Sequence, residues 1–394
     1  MFFINFLIFL LISAVAIPVT VFFVQVVASL LYKKKDHQGS LSFETLSVAV
    51  LIPAHDESLN ISDTISSILP QLKITDQLLV VADNCKDDTA FIANSLGAQV
   101  VERTNTSQRG KGYALDFGLQ ALGNKPPQIV IIIDADCVIS ENLIKRLSLA
   151  CNFHQAPIQA LYLMGSTNMT SLKSRVAEFA WLVKNKVRPL GFAALGLPCQ
   201  LMGTGMAFLW SDIVNIPMAN GHIAEDMLLG VNLSRANKSP LFLPDVQVSS
   251  QFPNSQPAET TQRTRWEHGH MSLILSEAPA LFIESIKKRN LKMLGLALDL
   301  IVPPLAVLAL STTLLFVLIL GFHFFLPMNW LVFYITFIQL ILISSVMLAW
   351  LFFGRQVISL KQLCYAPIYA LNKIPLYIKF FIDRQVEWVR SKRD

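Results

Sequence analysis

The chain runs to 394 residues, 53% of them hydrophobic and only 15% charged, with a formal net charge of +5. So apolar a composition exceeds that of an ordinary soluble domain, and mild charge without a basic stripe interleaved with aromatics argues against nucleic acid as a partner. Cys85, Cys137, Cys151, Cys199 and Cys364 are odd in number, irregularly spaced and form no CxxC pair. That pattern reads as reduced thiols and argues against a zinc site or a disulfide framework.

The apolar excess gathers at the two ends. Residues 2–31 are apolar apart from short polar residues such as Asn5 and Gln25, long enough to cross a bilayer with some tilt. The alternative, a cleaved signal peptide, would carry a positive start and a shorter apolar run. Lys33-Lys34-Lys35 follows, which assigns that end to the cytoplasm. Two further spans are predicted over 294–325 and 331–353, joined by a short turn at Pro327-Met328-Asn329. Pro303-Pro304 is expected to kink the first of them. Lys287-Lys288-Arg289 and Arg355 flank the pair, so everything from residue 33 to residue 292 falls on the cytoplasmic side. The stretches 276–291 and 363–388 mix aromatics with Lys and Arg at helical spacing. They read as helices lying in the membrane interface or on the domain surface. Asn372 and Lys373 make a fourth span over the second stretch costly.

The middle of the chain repeats a short β-branched run, a turn and a helical stretch. The runs are 48–53, 78–82, 98–101 and 129–133, with helices predicted near 59–69, 89–96, 113–122 and 141–151. Such alternation implies an α/β domain with a parallel, doubly wound sheet, which binds ligands beyond the carboxyl ends of its strands. The domain division this suggests is an anchor over 1–32, a cytoplasmic domain over 40–275, an interfacial helix over 276–292, two spans over 293–354 and an interfacial end over 361–394.

Carboxylates collect at those strand ends. The first run ends in Pro53-Ala54-His55-Asp56-Glu57, the second in Asp83 and the fourth in Asp134-Ala135-Asp136. Two carboxylates one residue apart can face one hard cation, although an Asx-turn capping the strand would look the same. Asp83 suits hydrogen bonds to a base or ribose, or a helix cap. Glu225-Asp226 opens a helical stretch, where acids complement the dipole or serve as a general base. Gln262, Arg265 and Trp266 stand at i, i+3, i+4 on one helix face. Together they offer an amide, a fork-shaped cation and a flat indole for a sugar diphosphate, or else belong to an amphipathic surface helix. Gly203-Thr204-Gly205 allows close backbone approach to a ligand, or a tight turn. No GxGxxG follows the first strand, and Gly110-Lys111-Gly112 lacks the spacing and the Ser or Thr of a Walker loop, which disfavours dinucleotide and P-loop enzymes. His268 and His270 lack a third ligand nearby and read as ordinary polar residues.

Taken in order, Pro53–Glu57, Asp83, Asp134-Ala135-Asp136, Glu225-Asp226 and Gln262–Trp266 resemble the membrane-bound family 2 glycosyltransferases. That family has the glycosyltransferase A fold and includes cellulose, chitin and hyaluronan synthases. The resemblance covers about residues 45–275. It implies an inverting transfer from a UDP-sugar or similar donor, with Mg²⁺ or Mn²⁺. By the resemblance Asp83 holds the nucleoside, Asp134 the donor and Asp136 the metal, which Asp134 shares, and Asp226 is the base. Gln262, Arg265 and Trp266 bind diphosphate and acceptor, and Gly203, Thr204 and Gly205 form the acceptor-side turn. Pro53, Glu57 and Glu225 complete the substrate-binding set. His55-Asp56 departs from the pair the family often has before Glu57, and the spans are few. Sugar nucleotidyltransferases share the architecture but open with a Gly-rich loop. A non-catalytic membrane scaffold would not require these motifs in register. The expected partners are a nucleotide-sugar, a lipid-linked or saccharide acceptor and membrane lipids. Few polar residues line the spans, which points to one or a few additions at a cell membrane. Export of a long polymer would need helices from a homo-oligomer or a polysaccharide-assembly partner.

Overall fold

The computed structural model describes residues 2–34, 43–165, 171–219, 221–253, 255–325 and 328–385. Lys35, Pro327 and the 386–388 end of the last amphipathic stretch lie outside them.

Eight strands among the described residues form one sheet. They are β1 (Val48–Ala54), β2 (Gln77–Asp83), β3 (Gln99–Arg103), β4 (Ile129–Ile132), β5 (Val138–Ile139), β6 (Ile158–Gly165), β7 (Met206–Leu209) and β8 (Leu241–Gln251), in the order β3-β2-β1-β4-β7-β6-β8-β5. The first four pair in parallel. The apolar runs of β1, β2 and β4 are buried on both faces, as helices on either side of a parallel sheet require, while β3, at the edge, is half exposed. The expected all-parallel sheet is corrected in the other half. There β7 runs antiparallel to β4 and β6, and β5 antiparallel to β8. Both strands are short and lie outside the strand–helix alternation, so no crossover helix dictates their direction. Leu51 pairs with Ile132 and Ala54 with Ala82. That register brings Pro53, Asp83 and Asp134 to one edge of the sheet.

The helices that follow these strands are α2 (Ile61–Ile68), α3 (Thr89–Ser95), α4 (Lys111–Leu122) and α5 (Leu143–His154), each within a few residues of its predicted range. Next come α6 (Leu172–Leu182), a π-turn over Val183–Val187, α7 (Arg188–Ala194), the single turn α8 (Trp210–Ile213), α9 (Glu225–Arg235) and the long α10 (Gln256–Ser276).

Among the described residues, three helical stretches are long and apolar enough to cross a membrane: Phe3–Ser29, Leu305–His323 and Asn329–Gly354. They correspond to α1 (Phe2–Ser29), α13 (Leu305–His323) and α14 (Asn329–Ala349) with its π-turn to Gly354, and α11 (Ala278–Lys287) and α12 (Leu291–Leu300) precede the pair. Pro303-Pro304 ends a helix where a kink was expected. Neither proline can donate to a helix carbonyl, and each pushes the residue before it out of helical geometry. The stretch 294–325 is therefore two helices. Its first part, α12, packs through Met293, Leu296 and Leu300 in a cluster with Val231 and Leu281 of the domain side. The end of the chain breaks into α15 (Leu360–Leu363), α16 (Ala366–Leu371) and α17 (Ile374–Ile382), each too short to span a bilayer.

Candidate active site

The carboxyl edge of the parallel strands opens into a cleft of about 210 Å³, lined from β1, β2, β4, α4, α9 and α10 together. Pro53, Glu57, Asp83, Asp134, Asp136, Gly203, Glu225, Asp226, Gln262, Arg265 and Trp266 all face it. Thr204 and Gly205 lie beneath its floor. The fully buried Thr204 hydroxyl accepts from the Asp134 backbone N–H at 3.0 Å, and Gly205 (φ +65°) sits so close to Val248 that a Cβ there would come within 2.7 Å of its side chain.

The turn at Gly203 fixes the centre of the cleft. With φ at +90°, a Cβ added there would stand 3.4 Å from Asp226 Oδ2, 3.5 Å from Lys111 Nζ and 3.9 Å from Asp134 Oδ2. Three charged groups thus surround one point, where the positive φ favours glycine. Lys111 donates to Asp134 Oδ1 and, at 2.8 Å, to the carbonyl of Gly203. Asp226 accepts from its own helix, the Met227 N–H, through Oδ1 at 2.8 Å, which leaves Oδ2 on the cleft side.

The acids shift one another. Burial and the neighbouring Asp226 push Glu225 up to about 7, against the pull of Lys111 and Arg265. Burial also raises Asp134, with Lys111 opposing and Asp136 adding to the rise. Burial by itself would depress Lys111, yet the charges of Asp134, Glu225 and Asp226 hold it above the usual lysine range. Asp134, Asp136 and Cys137 present ligand atoms within 4.8 Å of one another. The thiol of Cys137 donates to Asp136 Oδ1 at 3.3 Å and is pushed well above the usual thiol range by burial. A hard divalent cation fits the two carboxylates, with the open cleft supplying room for water and phosphate oxygens.

Asp83 carries a partner at one end of the cleft. Arg103 approaches its Oδ1 to 2.6 Å, with both side chains under one-tenth exposed, and Asn84 donates to the same oxygen at 3.0 Å. Glu57 accepts from Asn60 Nδ2 at 2.9 Å, and its backbone N–H is held by Thr89 at 2.8 Å.

At the opposite end, Trp266 lies 4.8 Å from Trp181, which meets Tyr162 edge-on at 5.4 Å. Helix α10 is held in place from below. Glu267 binds Lys373 at 2.5 Å and Tyr377 at 2.7 Å, while His268 and His270 contact the carbonyls of Leu376 and Leu300 at 3.0 and 3.1 Å.

Lys111, Trp181, Lys184 and Asn185 line the cleft but were not among the expected site residues. For Lys111 a signal existed, since Gly110-Lys111-Gly112 opens the helix after β3, at the carboxyl edge where ligands bind. For Lys184 and Asn185 none did: the π-turn that aims them into the cleft has no marker in their sequence, although such turns gather at functional sites.

The sequence profile described as Glycosyltransferase like family 2 matches residues 46–269. Among curated proteins, the chain is 24% identical over 253 residues to the probable glycosyltransferase YdaM of Bacillus subtilis, covering 58% of this chain and 56% of that one. It is 28% identical over 202 residues to glucosyl-3-phosphoglycerate synthase of Mycobacterium tuberculosis, covering 46% and 59%. The chain thus spans well under two thirds of the length of either relative. Among solved structures it is similar to the mannosyltransferase PcManGT of Pyrobaculum calidifontis in complex with GDP-Man and Mn²⁺, at 16% identity and a TM-score of 0.47, covering 86% of this chain and 98% of that one. Another is the M. tuberculosis glucosyl-3-phosphoglycerate synthase with Mn²⁺, UDP and glucosyl-3-phosphoglycerate, at 18% identity and a TM-score of 0.40, covering 60% and 87%.

Proposed function

The chain belongs to Glycosyltransferase like family 2, whose profile covers more than half of it, and from that premise we propose that it moves a sugar from a nucleotide-sugar, a UDP-sugar first among them, to a membrane-held acceptor with inversion at the anomeric carbon. The observation that carries this reading is the convergence of Lys111, Asp134 and Asp226 on the Gly203 turn, within one cleft shared with Gln262, Arg265 and Trp266.

An acceptor hydroxyl is a poor nucleophile at neutral pH, and Asp226 Oδ2 is the base that takes its proton as the oxygen attacks. The new carbon–oxygen bond forms as the bond from the anomeric carbon to the diphosphate breaks, and that electron pair leaves on the nucleoside diphosphate. Lys111 and Arg265 supply fixed positive charge for the departing diphosphate, arranged before the reaction begins. Asp136, with Asp134, would hold Mg²⁺ or Mn²⁺, which when bound neutralises phosphate charge as a Lewis acid. Asp83, Glu57 and Pro53 line the nucleoside end, with Arg103 holding the Asp83 carboxylate in place. Gln262 and Trp266 orient the sugar and the acceptor, and Glu225 shapes the charge around Asp226. The flanking lysines and arginines support a cytoplasmic catalytic domain on a cell membrane.

The test is nucleotide release from a panel of UDP- and GDP-sugars by protein reconstituted in lipid nanodiscs, with Asp226→Asn as the blank. Release from one donor, dependent on Asp226, is the expected result. Equal release by the variant would overturn the assignment. In liposomes, short glycosylated products support the single-addition reading, whereas long polymer in the lumen would replace it with a processive synthase.

A further inference from the structure

A second cavity, of about 480 Å³, lies beside the cleft, within the roughly 300–1,000 Å³ typical of small-molecule pockets. It is walled by α6, α10, α13, α14 and the short C-terminal helices, and Trp181, Lys184 and Trp266 line both spaces. We propose that this chamber holds the hydrocarbon chain of a lipid acceptor, whose reactive headgroup reaches the cleft past the Trp181–Trp266 pair.

The distribution of polarity along the chamber argues for that occupant. Its charged lining is Lys184, which also lines the cleft, with Arg188, Arg263, Glu267 and Lys373. Arg263 and Lys373 are already paired, with Glu259 and Glu267, while Lys184 makes no ion pair among the described residues and remains available to a headgroup oxygen. Along α13, α14 and α15 the walls are mainly aliphatic, with Leu308, Leu342, Val346 and Leu363, and the polar Thr313 and Gln339 there bond each other at 3.3 Å. A wall that passes from charged to mainly aliphatic matches a molecule polar at one end and apolar along its length. Helices α13 and α14, which form the aliphatic part, are two of those long enough to cross a bilayer, so hydrocarbon chains are the apolar molecules at hand. The two tryptophans at the junction each offer an apolar face with a polar edge, the side chain favoured where lipid meets water.

The proposal rests on the transferase reading only for which end of the lipid reacts, and the two are tested apart. The probe is dodecyl glucoside bearing a diazirine at the end of its chain, irradiated with the full-length protein in phosphatidylcholine nanodiscs and mapped by peptide mass spectrometry. Label is expected at Leu342, Val346 and Leu363. Filling the chamber with Ala309→Trp should reduce that label at least tenfold while leaving label at Phe333, which is 75% exposed on the lipid side, unchanged. Ala366→Phe, on another wall, serves if the first variant does not fold. Label confined to outward residues such as Phe333, or indifferent to both fillings, would overturn the chamber. In parallel, the filled variants should lose at least tenfold in kcat/KM for dodecyl glucoside relative to methyl glucoside, at unchanged donor binding. Equal transfer to both acceptors in every variant would overturn the chamber and leave the transferase intact. Chamber labelling without transfer from any donor would do the reverse.

Discussion

Arg188 Nη2 lies 2.8 Å from Asp299 Oδ1, with both side chains under one-tenth exposed. Gln25, from the first apolar helix, completes the contact. Its amide donates to Asp299 at 2.6 Å and its carbonyl accepts from Arg188 Nε at 3.1 Å. One polar knot thereby ties α1, α7 and α12 where the catalytic domain meets the apolar helices. Beside it α7 approaches so closely that a Cβ at Gly191 would stand 1.8 Å from the Gln25 backbone carbonyl oxygen. Removing one partner from a buried ion pair costs about 3–5 kcal/mol. Arg188→Leu should therefore lower the apparent Tm of the reconstituted protein sharply, and Arg188→Leu with Asp299→Leu should recover much of it. A double variant no better than the single one would show that the pair acts chiefly by packing.

Lys111 is expected to matter as much as any acid in the cleft. Removing one preorganised donor in an active site typically costs about 10²–10³-fold in turnover, and Lys111→Met should fall in that range. Lys111 also restrains the upward shift of Asp134. Without it Asp134 ionises at higher pH, so the acid limb of the kcat/KM profile should move upward. A pH–rate profile that merely scales down, without moving, would remove Asp134 ionisation from the reaction.

Metal dependence follows from the paired carboxylates. Asp136→Asn changes a ligand without changing volume, so activity should be lost with the thermal transition intact. EDTA should act likewise, reversed by Mg²⁺ or Mn²⁺. Full turnover in excess EDTA would sink the assignment.

Asp226→Asn separates binding from chemistry. Loss of a general base is worth about 10²–10⁴ in rate, so transfer should drop by that factor while nucleotide affinity, read by titration calorimetry, stays near that of the unaltered protein. Loss of nucleotide binding would make Asp226 a donor-binding or structural residue.

Glu225 links stability to pH. Burial, with Asp226 beside it, pushes the carboxyl of folded Glu225 from the ordinary 4.5 up to about 7. Between those values the folded state binds the extra proton, so this stabilisation is complete below about pH 4.5 and fades as pH rises through 7. The apparent Tm should decline across that window, and Glu225→Gln should flatten the decline. An unchanged slope in the variant would assign the pH dependence to other groups.

The parallel half of the sheet and the set of strand-end acids are legible in the order of residues alone. Buried β-branched runs at regular spacing and carboxylates placed just after them are local patterns, and the ends of parallel strands necessarily share an edge. Gln262, Arg265 and Trp266 were legible for the same reason, because helical periodicity alone puts them on one face. Other features depend on contacts between residues far apart in the chain. The antiparallel directions of β5 and β7 come from pairing with distant strands. The separation of α12 from α13 reflects Pro303-Pro304 together with the Asp299–Arg188 contact, 111 residues apart. Lys111 became a site residue because β4 and the Gly203 turn bring Asp134 and a carbonyl from 92 positions away onto its ammonium. Lys184 did so because a π-turn shifts the register of its helix by one residue, a change in hydrogen bonding that hydrophobic periodicity does not encode.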